Sequence, residues 1–205
     1  MNCKHIFIEG NIGAGKTTLI NEFVKKKKYF TGYQENIKRW MELGLLQKSY
    51  IDPKNGLLIF QLYILFDKLC RIQHDGKNKI IERSGLADRL VFLELAIQNK
   101  LISSNDVDIY DDLYKKMLNK FDLYKNAIFI YLDVNPEICY QRLLKRNRNI
   151  ESKIVDIDYL KNIDKFYRNN LIPFLKKKNI IIHNIKYNNI NSIDGVIKIC
   201  EILKI

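Results

Sequence analysis

Apolar residues follow two alternating patterns along the chain. Short runs rich in β-branched and aromatic residues predict strands, and apolar positions repeated every three or four residues predict helices. The predicted strands are His5–Glu9, Tyr33–Glu35, Lys79–Glu82, Ala127–Asp133 and Asn179–His183. The predicted helices are Lys16–Lys28, Pro53–His74, Asp88–Asn99, Val107–Phe121, Pro136–Arg146, Asp158–Lys177 and Ser192–Leu203.

This alternation of strands and helices predicts an α/β fold. Right-handed crossovers between such elements produce a parallel sheet with helices on both faces, a three-layer arrangement. With three prolines and no Gly/Ser-rich stretch, the sequence shows no linker, so we expect one domain over residues 1–205. Ligands of such domains bind at the carboxyl ends of the strands.

Charge and cysteine usage narrow the class of protein only slightly. The formal net charge is +12, and much of it lies in Lys25–Lys28 and Lys176–Lys178. Such runs usually form solvated helix ends, although non-specific nucleic-acid binding remains an alternative interpretation. Scattered cysteines and a charged Met1–His5 start without a signal-like apolar run favour a cytoplasmic protein with no membrane partner.

The strongest motif lies between the first predicted strand and the first predicted helix. Its sequence, GNIGAGKT, matches G-x-x-x-x-G-K-[ST] in full. The glycines let backbone N–H groups surround phosphate oxygens at the positive end of a helix. Lys16 can bridge the β- and γ-phosphates, and the Thr17 hydroxyl can bind Mg²⁺. The predicted nucleotide-binding residues are Gly10, Asn11, Ile12, Gly13, Ala14, Gly15, Lys16, Thr17 and Thr18.

A signalling GTPase is excluded by the remaining motifs. No D-x-x-G switch occurs in the sequence. The N-K-x-D match at Asn119–Asp122 lies on a predicted helix rather than after a strand, so we interpret it as accidental.

Beyond the phosphate motif, most of the chain resembles the deoxyribonucleoside kinase family, whose motifs occur here in order. They are Glu9–Thr18, Glu35 with Trp40, Tyr50 before Asp52-Pro53, Phe60-Gln61, Glu82-Arg83-Ser84, Asp88-Arg89-x-x-Phe92, and R-x-x-x-R-x-R-x-x-E from Arg142 to Glu151. The resemblance implies a P-loop kinase fold with a five-stranded parallel sheet. It also implies ATP- and Mg²⁺-dependent phosphorylation of deoxyribonucleosides at the 5′-hydroxyl.

The resemblance implies specific roles in phosphoryl transfer. Glu35 corresponds to the carboxylate that accepts the hydroxyl proton. Glu82 ends a predicted strand, where it can reach Mg²⁺, and Arg83 could hold Glu35 and the reacting phosphate. The family folds its arginine-rich segment, here about residues 142–154, as a lid whose guanidinium groups offset the charge on the ATP phosphates. The lid arginines are Arg142, Arg146 and Arg148.

The nucleoside pocket follows from the same resemblance. Gln61 would read the base edge with its donor and acceptor, Phe92 would stack on the base, and Trp40 would lie against it. Tyr50 and Glu151 would hold the 3′-hydroxyl.

Base preference rests on Asp88, which matches an aspartate of deoxycytidine and deoxyguanosine kinases. Those kinases pair it with an arginine, whereas this chain has Lys68, which keeps the charge but lacks the planar fork. Ile64, one turn earlier, is bulkier than the residue often found there. The interpretation favours deoxycytidine and purine deoxynucleosides and leaves thymidine open.

Two other functions stay open at this point. A thymidylate-type nucleoside monophosphate kinase would favour an arginine near position 35, and a non-catalytic basic module would not require Glu35, Gln61 and Glu82 together. We expect no specific nucleic-acid partner. The resemblance also implies a homodimer formed through two long helices, including Asp88–Asn99.

Overall fold

The computed structural model describes residues 5–71, 76–121, 124, 126–146, 155–188 and 191–205. Its centre is a five-stranded sheet with the order β2-β3-β1-β4-β5, in which every pair of neighbouring strands is parallel. The strands are β1 His5–Gly10, β2 Phe30–Tyr33, β3 Asn78–Glu82, β4 Ala127–Asp133 and β5 Ile181–Lys186. Helices cover both faces, which confirms the predicted α/β fold class.

Eleven α-helical segments and two π-helical turns are assigned within the described residues. The first six helices are α1 Lys16–Lys26, α2 Ile37–Glu42, α3 Leu45–Ile51, α4 Pro53–Arg71, α5 Gly85–Ala87 and α6 Glu94–Gln98. The others are α7 Ser104–Phe121, α8 Pro136–Arg146, α9 Ile157–Phe166, α10 Ile172–Lys177 and α11 Ser192–Leu203. The π-helical turns are Asp88–Leu93 and Tyr167–Leu171.

The central strands are buried on both faces, which explains their unbroken apolar sequences. Ile6, Phe7 and Ile8 of β1 are fully buried, and Phe7 stacks on Phe129 of β4 with ring centroids 5.0 Å apart. In a parallel sheet covered by helices, both side-chain directions of a central strand point into the core. Because all neighbouring strands are parallel, their carboxyl ends lie at one edge of the sheet.

Two predicted strands are displaced from the observed ones. The predicted strand Tyr33–Glu35 is wrong because β2 ends at Tyr33, so Glu35 lies in the connection that follows. The predicted strand Asn179–His183 begins and ends too early, since β5 runs from Ile181 to Lys186. Both are edge strands with exposed positions, and such strands lack the continuous apolar run that marks a buried strand.

Two predicted helices differ from the structure, and the described residues cover only part of a third. Pro53–His74 is observed to Arg71, and residues 72–75 lie outside the described ranges. Asp88–Asn99 and Asp158–Lys177 each contain a π-helical turn instead of a continuous α-helix. Helices α2 and α3 were not predicted, because each is only about two turns long. The predicted boundaries of β4, α8 and α11 are confirmed.

Surface features of the described residues agree with the sequence interpretation of the lysine runs. Lys25 and Lys26 end α1, Lys176 and Lys177 end α10, and all four are exposed. In the same ranges, no helix combines the length and the apolar character needed to cross a membrane.

Candidate active site

The phosphate loop joins β1 to α1 and requires glycine where it passes helix α8. Gly13 has φ +80, and a Cβ built there would lie 2.5 Å from the carbonyl oxygen of Cys139 in α8. A larger residue would therefore meet both a left-handed backbone and a fixed main-chain atom. Asn11 holds the other side of the loop, since its Nδ2 donates to the carbonyl of Leu160 at 2.8 Å.

Lys16 and Thr17 begin helix α1 and face Glu82 at the end of β3. Lys16 Nζ donates to the carbonyl oxygens of Gly10 and Asn11 at 3.1 and 2.9 Å and lies 3.9 Å from Glu82 Oε1. Burial lowers the pKa of Lys16 to about 8, with a further contribution from the Arg83 charge. Thr17 Oγ1 donates to Glu82 Oε2 at 2.9 Å. A lysine ammonium, a hydroxyl and a carboxylate thus meet at the mouth of the loop.

Glu35 lies between two cations. Arg83 Nη1 donates to its two carboxylate oxygens at 2.7 and 2.9 Å, and Lys68 Nζ lies 3.7 Å from Oε1. Burial raises the pKa of Glu35, but the charges of Arg83, Lys68 and Lys16 outweigh it and hold this pKa below 4.5. Glu35 is therefore an ionised carboxylate at neutral pH.

Arg83 is positioned by an unusual backbone conformation and by an aromatic ring. Its φ is +59, in the left-handed region that non-glycine residues rarely adopt. Its guanidinium carbon lies 4.3 Å from the centroid of the Phe92 ring, a cation–π contact. The next residue is also fixed, because Ser84 N donates to the buried Glu9 carboxylate at 2.8 Å.

A cavity of about 750 Å³ connects the phosphate loop to a mainly apolar end beneath α2, α3 and α4. Most of the predicted site residues line this cavity, namely Ile12, Gly13, Gly15, Lys16, Thr17, Thr18, Glu35, Trp40, Tyr50, Gln61, Glu82, Arg83, Asp88, Phe92, Arg142 and Arg146. Four others, Gly10, Asn11, Ala14 and Lys68, do not line the cavity but neighbour lining residues in sequence or by contact. Its volume falls in the range of small-molecule sites.

The apolar end of the cavity contains polar atoms that lack partners within the described part of the chain. Gln61 Oε1 and Trp40 Nε1 are both buried without a hydrogen bond there. Trp40 packs edge-on against Phe60 with centroids 5.4 Å apart, which fixes the indole. Buried polar atoms of this kind cost free energy unless a partner binds them, so this end suits a ligand with a polar edge.

Helix α8 places two of the three predicted arginines at the cavity. Arg142 donates from Nη1 to the Ala14 carbonyl at 3.3 Å and from Nη2 to the Asn188 carbonyl at 3.0 Å. Arg146 lines the cavity one turn later. The predicted roles of Arg148 and Glu151 fall outside the described residues.

Sequence reasoning missed several residues of this cavity. Tyr187 directly follows β5, and its ring lies 3.4 Å from a Cβ built on Gly15. Had the sequence predicted that β5 ends at Lys186, Tyr187 would have been expected at the site, since the carboxyl ends of the strands meet there. Tyr159 of α9 also lines the wall, and its position gave no sequence signal.

The fold and the site define a P-loop phosphotransferase. A glycine loop, a buried lysine, a hydroxyl beside an acid and the Glu35 carboxylate share one cavity with three arginines, Arg83, Arg142 and Arg146. Residues 6–200 match the family model described as deoxynucleoside kinase. The chain belongs to the deoxynucleoside kinase family and is an enzyme that phosphorylates nucleosides.

Curated relatives with different substrates in their names match the chain at similar levels. A probable deoxycytidine kinase of fowlpox virus is 37% identical over 161 residues, which are 77% of this chain and 67% of the relative. A deoxyadenosine kinase of Dictyostelium discoideum is 33% identical, covering 80% of this chain and 64% of the relative. The mitochondrial thymidine kinase 2 of Homo sapiens is 31% identical, covering 82% and 64%.

Proposed function

We propose that the enzyme transfers the γ-phosphoryl group of ATP to the 5′-hydroxyl of a deoxyribonucleoside. The observation that carries this proposal is the Glu35 carboxylate, held by Arg83 in the cavity that also contains the phosphate loop. A carboxylate there can accept the proton of an alcohol, whereas an acceptor phosphate would be repelled by it.

The chemistry needs one proton acceptor and several positive charges. The 5′-oxygen forms a bond to the γ-phosphorus as the bond from that phosphorus to the β–γ bridging oxygen breaks, and ADP leaves. Glu35 takes the hydroxyl proton. Lys16, Arg83, Arg142 and Arg146 stabilise charge on the transferring group, which is the main task in phosphoryl transfer.

Thr17 and Glu82 fit a Mg²⁺ site. Within the described ranges no three His, Cys, Asp or Glu side chains cluster as metal ligands. Mg²⁺ commonly takes one or two protein oxygens and completes its shell with water and phosphate, and the Thr17 hydroxyl beside the Glu82 carboxylate supplies such a pair. When bound, the ion would neutralise phosphate charge.

For the acceptor base, the proposal favours deoxycytidine and purine deoxynucleosides and leaves thymidine open. In the described part of the chain, Gln61 Oε1 at the apolar end has no hydrogen-bond partner, and the Asp88 carboxylate also lines the cavity. Amino groups of cytosine and adenine can donate to such acceptors. Relatives named for deoxycytidine, deoxyadenosine and thymidine support a broad range.

A homodimer through two long helices is part of the proposal, and the exposed residues favour α4 as one of them. In the segment Asp88–Asn99, Val91, Leu93 and Leu95 are buried inside the molecule. Among the long helices, α4 exposes Ile59 and Phe66, at 54% and 62%, and α7 exposes Ile109 at 41%. The spacing of Ile59 and Phe66 places both on one helical face. Light scattering should give a dimer that becomes monomeric in Phe66→Asp.

The proposed function is tested by ADP release from Mg-ATP with deoxycytidine, deoxyadenosine, deoxyguanosine and thymidine. Glu35→Gln should lower kcat at least about a hundredfold, the low end for a lost general base. Glu42→Gln, at an exposed carboxylate on α2, is the matched control and should retain full activity. Turnover of deoxythymidine monophosphate without turnover of any nucleoside would contradict the proposal.

A further inference from the structure

Lys68 contacts two carboxylates that line the cavity, Asp88 and Glu35. Its Nζ lies 2.8 and 2.7 Å from the two oxygens of Asp88 and 3.7 Å from Glu35 Oε1. Lys68 is 4% exposed and Asp88 is 3% exposed. One buried ammonium therefore bridges the carboxylate proposed to face the base and the carboxylate proposed to take the proton.

The bridge is part of a charge-balanced buried group. Arg83 and Lys68 supply two positive charges, and Glu35 and Asp88 supply two negative charges. Because burial makes an unpaired charge costly, Asp88 depends on Lys68, whereas Glu35 is bound by Arg83 and also lies near Lys68. A change in charge at Asp88 must then alter the pairing available to Glu35 through Lys68.

We propose that Lys68 is a positioning residue for Glu35, coupling occupation of the base-binding end to the proton acceptor at the 5′-hydroxyl. The inference rests on the proposed function. A base amino group that donates to Asp88 competes with Lys68 for the Asp88 oxygens. The Lys68 ammonium then interacts more strongly with Glu35. Base identity then acts on kcat as well as on KM.

Other charged groups also face Glu35 and set the background for any test. Arg83 approaches from the end of β3, Lys16 from the start of α1, and Glu82 lies beyond Lys16 at 3.9 Å. None of these is changed by substitutions at Lys68 or Asp88. The contribution of Lys68 is therefore measurable by comparing variants at positions 68 and 88 alone.

The comparison uses Asp88→Asn as the background, because Lys68→Met alone would leave a buried, unpaired Asp88. The D88N enzyme keeps the ammonium beside Glu35, and the double variant K68M/D88N removes it without leaving a charge behind. The variant K68R/D88N restores a cation. Urea unfolding of all three checks that each is folded.

The measurements are kcat, KM and the pH profile of kcat/KM from pH 4.5 to 8, with the nucleoside that wild type turns over fastest. We expect K68M/D88N to lose about tenfold in kcat against D88N, with its acid limb about one pH unit higher, since a cation at this range lowers a carboxyl pKa by about one unit or more. K68R/D88N should resemble D88N.

Three outcomes are distinguishable. Suppose that only KM differs between D88N and K68M/D88N, with the same kcat and acid limb. Lys68 would then act on Asp88 but not on Glu35, and the inference would be overturned. Equal loss in K68M/D88N and K68R/D88N would assign the effect to packing and would also overturn it. If wild type phosphorylates no nucleoside, the proposed function itself fails.

Discussion

The side-chain amide of Asn170 donates to the main-chain carbonyl of Leu90 at 3.1 Å. Each residue belongs to a π-helical turn, Tyr167–Leu171 and Asp88–Leu93 respectively, so this bond joins the two turns. The second turn carries Asp88 and Phe92 on the cavity wall. Single π-helical turns occur frequently at functional sites because they re-aim side chains that an α-helix would direct elsewhere.

We predict that Asn170→Ala raises KM for the nucleoside and leaves KM for ATP unchanged. Loss of one neutral hydrogen bond costs about 1 kcal/mol, so we expect an increase of about fivefold. Steady-state kinetics with each substrate varied in turn measures it. Asn169→Ala, at the exposed neighbouring position, is the matched control. Equal effects of both variants would mean that the bond does not position the wall.

A second prediction concerns the phosphate loop and compares two glycines with positive φ. Gly13 has φ +80 and faces the Cys139 carbonyl, whereas Gly44 has φ +69 and open space around a built Cβ. Gly44→Ala should cost about 1–2 kcal/mol of unfolding free energy from backbone strain alone. Gly13→Ala should cost more and raise KM for ATP at least about tenfold, because the loop must move away from α8.

Urea unfolding and ATP-dependent kinetics of both variants measure this difference. If Gly13→Ala loses only as much stability as Gly44→Ala and binds ATP normally, the contact between the loop and α8 does not shape the site.

The Thr17 hydroxyl gives a third prediction, on metal dependence. Thr17→Val keeps the branched shape but removes the oxygen that lies 2.9 Å from Glu82 Oε2. We expect the Mg²⁺ concentration for half-maximal activity to rise about tenfold, equivalent to about 1.4 kcal/mol of lost binding. Thr17→Ser keeps the hydroxyl and should stay close to wild type. Identical titrations for Val and Ser variants would exclude Thr17 as a magnesium ligand.

The fourth prediction concerns pH and the buried Glu9. Its carboxylate accepts from Ser84 N at 2.8 Å and from the Tyr167 hydroxyl at 3.1 Å, and burial raises its pKa above 4.5. The folded state therefore binds more protons than the unfolded state from about pH 4.5 upward. The contribution of Glu9 to stability is thus largest below that pH and is lost as pH rises through its folded pKa.

Glu9→Gln should remove this pH dependence. A glutamine can accept from Ser84 N and donate to the Tyr167 hydroxyl, which can rotate to accept. As pH rises from 4.5 to 8, the free energy of unfolding in urea should therefore fall for wild type relative to the variant. Glu42→Gln serves as the exposed control. A constant difference between variant and wild type across this range would contradict the raised pKa.

The sequence by itself determined the elements and motifs that depend on neighbouring residues. The strand Ala127–Asp133 and the helix Pro136–Arg146 have the predicted bounds, because continuous apolar runs and helical spacing are local signals. The phosphate loop could also be predicted, since its glycines, lysine and threonine lie within one motif of eight residues, Gly10–Thr17. The family resemblance then assigned residues that local patterns could not, such as Glu35 and Gln61.

Only the tertiary structure decided the contacts between distant parts of the chain. Glu9 and Tyr167 are 158 positions apart, and Lys68 reaches Asp88 and Glu35 from a different helix. Neither π-helical turn was predicted, because a wider turn depends on how two segments pack and not on their own apolar spacing. Side-chain periodicity records which face of an element is buried, whereas packing between elements decides which charged groups meet on that face.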